Sequence, residues 1–235
     1  MDIDKIVLAL RSYHYDVMSE KEVMEELEGI TPLDLYLADI ELLDGGLKEG
    51  ELHDIIKLYP KLVKDQAREM LKLLDEDHPV RTMIIEHERI HGFLFKLEEL
   101  SDKMEYGSFS GVEEKFEAIV HNLDEAEKHF KREEITIFSR LERLEGGLVG
   151  RLRSLSEEHT QIRDLFHELR SSSTEYKENY KEIADDLRKL VYLLRFHSFI
   201  ENDMLYPVAA KKIDDWDQVK KESESLGYCD FVKVP

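Results

Sequence analysis

The stretch HFKREEITIF at 129–138 is echoed by HSFIENDMLY at 197–206. Each sets a histidine four residues before a glutamate and closes on an aromatic ring five residues later. On a helix, positions i and i+4 share a face. His129 and Glu133 therefore point the same way, and so do His197 and Glu201. Ile137 and Leu205 continue the two faces one turn on, and both are apolar. The faces belong to a core. An imidazole and a carboxylate on a core-facing stripe are costly unless something satisfies them, and a metal ion would.

A second echo supplies the partners. EHERIHGFLFKL at 86–97 aligns with EHTQIRDLFHEL at 158–169 through Glu-His, an isoleucine and a leucine. The chain thus repeats a hairpin: one histidine from its first helix, then His-x-x-x-Glu from its second. In antiparallel helices, residues equally distant from a loop lie at equal height. His87 and His129 satisfy this about their loop, and His159 and Glu133 satisfy it about Gly146-Gly147. His159 and His197 match less closely, so the last connection must be longer or kinked. The sum is four imidazoles (His87, His129, His159, His197) and two carboxylates (Glu133, Glu201) converging in one layer. Two metal ions bridged by two carboxylates, with two nitrogens each, fit that inventory. Mixed imidazole and carboxylate ligands suit iron, and also zinc or manganese. The Glu-x-x-His spacing of ferritin-like bundles is a different pattern.

Several residues compete for the same roles. His91 follows His87 by one turn, but its counterpart in the repeat is Arg163. His78 precedes Pro79 and reads as a cap or loop histidine, with a place in the site as the alternative. Glu134 is rotated off the Glu133 face and is expected to meet solvent. His14, His53, His121 and His167 are expected on surfaces or in packing. His87-Glu88-Arg89-Ile90-His91 matches HExxH, the zinc-protease motif, which needs a third ligand and a substrate cleft. A helical bundle core offers no groove for an extended peptide. Cys229 is the one cysteine, so no internal disulfide forms, as expected in a reducing compartment.

Four long amphipathic elements must position these residues: helices over about 79–106, 112–145, 148–170 and 175–212. They are separated by GSFSG at 107–111, by Gly146-Gly147 and by SSST at 171–174. Short connections make antiparallel neighbours, hence an all-α, up-down four-helix bundle over 76–212. Residues 1–75 read as a small helical module. Within it Thr31-Pro32-Leu33-Asp34 starts a helix and Gly45-Gly46 stops it. Residues 213–235 form a less regular tail, with Trp216 and Tyr228 expected to fold back onto the bundle.

Composition narrows the partners. Of 235 residues, 33 are Lys or Arg and 53 are Asp or Glu, a net charge of −20. Such a surface repels phosphate backbones and anionic membranes, so no nucleic acid and no membrane is expected. The first residues lack the basic start of a signal peptide and no apolar run spans a bilayer, so a cytoplasmic location is expected.

Taken together, EH-x-x-I, H-x-x-x-E-E-x-x-x-F, EH-x-x-I and H-x-x-x-E-x-x-x-x-Y-P resemble the pattern of hemerythrin-like (HHE) cation-binding domains over about 78–212. The resemblance implies a di-iron centre that binds O2, NO or peroxide. In that reading Glu133 and Glu201 bridge the irons, and His87, His129, His159 and His197 are terminal ligands. Arg163 stands where oxygen-carrying hemerythrin has a further histidine. Fewer nitrogens leave open coordination positions, which favours sensing, scavenging or iron handling over reversible O2 carriage. Rival readings are an enzyme, either an iron donor for iron–sulfur-cluster repair or a peroxide reductase, and a metal-free interaction bundle. LADIELLDGGLKEGELHDIIKLYPKL at 37–62, with HPV at 78–80, resembles the DUF438 domain, a helical module through which a protein partner could bind.

Overall fold

The fold is described from a computed structural model for residues 2–63, 66–105, 113–144, 149–172 and 180–233. Every regular element among them is helical. Six short helices come first: α1 (Ile3–His14), α2 (Glu20–Glu26), α3 (Pro32–Asp44), α4 (Glu49–Ile56), α5 (Tyr59–Leu62) and α6 (Gln66–Leu73). Their ends follow local chemistry. Ser19 and Glu22 close a capping box on α2, and Thr31 and Asp34 close another on α3, with Pro32 in the first turn. Gly45 ends α3 and Gly46 takes φ 90°, a conformation that favours glycine.

The bundle follows. Its first helix, α7 (Pro79–Glu105), is continuous. The second is not the single helix expected over 112–145. It divides into α8 (Glu113–Asp124), α9 (Ala126–Arg132), a π-helical segment (Glu133–Phe138) and α10 (Ser139–Leu144). The third, α11, spans Val149–Ser172. The fourth divides into α12 (Tyr180–Ile200), a second π segment (Glu201–Leu205) and α13 (Tyr206–Lys212). Each widened turn opens at the glutamate of a His-x-x-x-Glu pair. The first leaves carbonyls that side chains satisfy: Thr136 Oγ1 donates to the Arg132 carbonyl at 2.6 Å, and Arg140 Nη1 to the Thr136 carbonyl at 3.0 Å. The expected breakpoints GSFSG and Gly146-Gly147, and the second half of SSST (173–174), lie outside the described residues, while Ser171 and Ser172 still belong to α11.

The tail is more regular than expected. Trp216–Leu226 forms α14, and Val219 and Ser223 on one face are buried. It does fold back. The Trp216 ring packs against His78 with centroids 4.4 Å apart, and Tyr228 lies under the Arg132 guanidinium at 4.8 Å. Arg140 ties it down through Asp215 and Glu222.

Apolar side chains gather into two separate clusters. One joins the N-terminal helices to one end of the bundle, with Leu10, Leu35 and Leu42 in the same body as Ile137, Leu155 and Met204. The other fills the opposite end, from Ile90, Leu94 and Phe130 to Ile162, Leu187 and Leu194. On all four bundle helices a buried polar residue or pair separates the two: His87, His129 with Glu133, His159, and His197 with Glu201. That polar layer is the site. The helices α3 and α6 pack directly on the second π segment, which carries Glu201.

Candidate metal centre

All six side chains are essentially removed from solvent; His87, at 2 % exposure, is the most accessible. They form two groups able to hold a metal ion, and the groups share both carboxylates. His87 and His129 join Glu133 and Glu201 in one; His159 and His197 join the same pair in the other. Within each group the donor atoms lie within 4.8 Å of one another.

Every imidazole turns Nε2 inward. His129 Nε2 is 3.3 Å from Glu133 Oε2, and His87 Nε2 is 3.3 Å from Glu201 Oε2. On the other side His197 Nε2 is 3.0 Å from Glu201 Oε1, and His159 Nε2 lies 3.5 Å from Glu201 Oε1 and 3.4 Å from Glu133 Oε2. His87 and His129 bring their Nε2 atoms within 2.8 Å. Two nitrogens bound at right angles to one ion, about 2.1 Å away, would sit about 3 Å apart, so the spacing fits a shared ion.

Each Nδ1 faces outward to an acceptor. Glu86 Oε2 accepts from His129, Glu134 Oε1 from His159 and Glu158 Oε2 from His197, each at 2.8 Å; Asn202 Oδ1 accepts from His87 at 2.9 Å. A carboxylate can only accept, so Nδ1 carries a proton, and Nε2 is the nitrogen left to offer its lone pair to an ion once its own proton is displaced. Rings brace the same orientation. His159 lies between Phe130 and Phe138, with centroids at 4.4 and 5.7 Å, and His87 stacks on Tyr206 at 5.8 Å.

The outward partners follow the repeat. Glu86 and Glu158 each precede a histidine on one helix and serve a histidine on the next. Glu134 and Asn202 each follow a glutamate of the layer and reach across to the other hairpin. The expectation that Glu134 meets solvent is therefore corrected. Being off the Glu133 face turns it toward α11 rather than outward, where it holds His159 and takes Arg163 Nη1 at 3.1 Å. Sequence reasoning also passed over Glu86, Glu158 and Asn202, although the Glu-His pairs were themselves part of the repeat. Arg132 completes the shell. It is ion-paired to Glu86 and donates to the Gly227 carbonyl at 2.6 Å, while the Cys229 amide donates to Glu86 Oε1 at 3.1 Å.

The remaining histidines whose side chains are described stay out. His91 Nε2 bonds the Ser198 hydroxyl at 2.6 Å, and Glu88 is exposed, so HExxH does not assemble as a zinc site. His78 Nδ1 accepts from the Val80 amide at 3.2 Å, capping α7. His121 and His167 are exposed and His14 is partly buried, none of them in the layer; the side chain of His53 lies outside the described residues. Cys229 is buried, and burial first, then Glu86, pushes its thiol up, away from reactivity.

The electrostatics favour cations. Burial alone would push His129 and His197 down, but the carboxylates around them outweigh it and hold both at about 9. For Glu201, burial pushes up, and His197, His159 and His87 overcome it to hold the carboxyl well below its usual range. A direct observation points the same way. Glu133 Oε2, both Glu201 oxygens and the Nε2 atoms of His159 and His197 are buried with no hydrogen-bond partner. Orphaned atoms of this kind are rare in folded proteins, and these converge in one layer. The donor set fits metal ions.

Fold and site together define a helical bundle with buried His/Glu clusters suited to cations. The family model of the hemerythrin HHE cation-binding domain matches residues 78–209, and the chain belongs to that family. No curated protein matches the chain. Among the described residues no helix is long and apolar enough to cross a membrane.

Proposed function

We propose that the chain is a non-haem di-iron protein that binds or senses O2, NO or peroxide. One observation carries the reading: two four-residue groups share both of their carboxylates, so two ions held there would be bridged by Glu133 and Glu201. His87 and His129 would complete one ion's shell, and His159 and His197 the other's. Two nitrogens and shared carboxylates leave each ion short of six ligands, and so open to a small molecule. When bound, iron supplies the redox change and the affinity for diatomic ligands. The protein's own residues do the rest. Four outward acceptors orient the imidazoles, the aromatic rings exclude water, and the carboxylates neutralise charge. The N-terminal module, read as DUF438-like, would take up a signal through α3 and α6, which back the Glu201 segment. A protein partner would then bind there.

Metal content of anaerobically purified protein tests the reading. Two irons per chain, lost in His129→Ala and Glu201→Ala, are expected. Zinc or manganese at the same residues would keep the site and overturn the gas-binding role. No metal after reconstitution would leave a metal-free helical interaction module. Turnover of peroxide under added reductant would move the protein to the enzymes.

A further inference from the structure

The two repeated phrases differ at their last residue. HFKREEITIF ends in Phe138, and HSFIENDMLY ends in Tyr206. The two rings occupy equivalent places: Phe138 stacks on His159, and Tyr206 on His87. Only the tyrosine carries a hydroxyl, and it donates to Glu133 Oε1. Phe138 has nothing to donate to the equivalent Glu201. The two carboxylates consequently face the interior differently. Both oxygens of Glu201 are buried without a hydrogen-bond partner, Oε1 facing His159 and His197 and Oε2 facing His87. Glu133 turns only Oε2 inward, between His129 at 3.3 Å and His159 at 3.4 Å.

We infer that Tyr206 is a positioning residue that holds Glu133 as a one-oxygen ligand, making the two bridges unequal and keeping one coordination position free for a small anion or diatomic. This rests on the di-metal reading above and deepens it. A carboxylate with both oxygens free can close onto any vacant position on an ion; one whose second oxygen is engaged by a buried hydroxyl cannot without breaking that bond. Tyr206 is itself buried, so water does not readily replace it. The neighbouring outer residues add to the asymmetry. His87 is oriented by the neutral Asn202, whereas His159 is oriented by the Glu134 carboxylate. The device is written in the sequence as one oxygen atom, present in the second phrase and missing from the first.

The test uses the full chain, with azide as the probe of the free position. Iron content and Mössbauer spectra are recorded for the wild type and Tyr206→Phe, followed by azide titration of the diferric forms. Tyr206→Phe should keep two irons per chain while azide affinity falls about tenfold or more, the scale seen when an outer-shell partner of a metal ligand is removed. The wild type should give two quadrupole doublets, one per unequal ion. Two irons with unchanged azide affinity in the variant would overturn the role of Tyr206 and leave the di-iron reading standing. A wild type that takes no iron would overturn both. If Tyr206→Phe fails to fold, the wild-type spectrum decides, because a single doublet means equal ions and refutes the inference.

Discussion

Glu86 stands one residue before His87 on α7, yet its carboxylate serves His129 on a different helix, accepting from Nδ1 at 2.8 Å. The same carboxylate pairs with the buried Arg132 and accepts the Cys229 amide. It is the point where the bundle, the site and the tail meet. Its pKa is held at about 2, since His129 and Arg132 overcome the upward push of burial.

Removing it should have two separable effects. Glu86→Ala leaves the Arg132 guanidinium buried without its partner, which is expected to cost about 3–5 kcal/mol in urea unfolding. It also frees the His129 ring and should weaken ion binding about 10–100-fold. Glu158→Ala frees His197 in the same way but strands no buried arginine. It should match Glu86→Ala in ion affinity and lose much less stability. Equal stability losses in the two variants would refute the part given to Arg132.

Ion binding should release protons. His129 and His197 are held at about 9, above their ordinary 6.5, so at pH 7 an incoming cation displaces protons from them. Proton release measured in weak buffer should be clear at pH 7 and fall away above pH 9, and affinity should weaken as the solution is acidified. The metal-free chain carries the opposite signature. A pKa raised on folding contributes stability fully below 6.5 and loses it as pH rises through about 9. Melting temperature of the apoprotein should therefore drop across that window, and added metal should flatten the drop. A pH-independent affinity would contradict this account.

Acid should release the tail before the bundle. Hydrogen bonds from Arg140, the largest influence on each, hold Asp215 and Glu222 below their usual range. Depressed carboxyl pKa values contribute stability that is lost as pH falls through the folded-state values. Arg140 itself is buried, so protonating both partners leaves its charge uncompensated. Trp216 is the one tryptophan and packs on His78, which makes its emission a direct reporter. A red shift below about pH 4, while helical circular dichroism persists, is expected. Arg140→Met should show the shift already at neutral pH; an unchanged spectrum there would discount the ion pairs.

How far the sequence disclosed this arrangement depended on whether a feature is local. Thr31 and Asp34 are three residues apart, and their cap was readable. His129 with Glu133 and His197 with Glu201 rest on the helical repeat and came through equally well. The outward partners did not, because Glu86, Glu134, Glu158 and Asn202 each act on a neighbouring helix. A helical wheel gives an angle but not which helix lies there, and for Glu134 that mistook a helix-facing flank for solvent. The π segments escaped because a fixed period was assumed across them. The α14 helix had a signal in the spacing of Trp216, Val219 and Ser223, but the acidic run around it masked the pattern.

The polar layer that separates the two apolar clusters has a consequence for how the molecule comes apart. Hydrophobic bodies unfold together when continuous contact couples them. Here the coupling across the bundle passes through His87, His129, Glu133, His159, His197 and Glu201. Without ions that layer holds charged imidazoles and carboxylates in place of apolar contact, and Glu133 and Glu201 repel one another even as the histidines hold both ionised. The apoprotein is therefore expected to exchange amide hydrogens in two cooperative units. One would comprise the N-terminal helices with their end of the bundle, and the other the opposite end. With ions bound across the layer the protection factors of the two units should converge, so that metal content sets whether this chain behaves as one folding unit or as two.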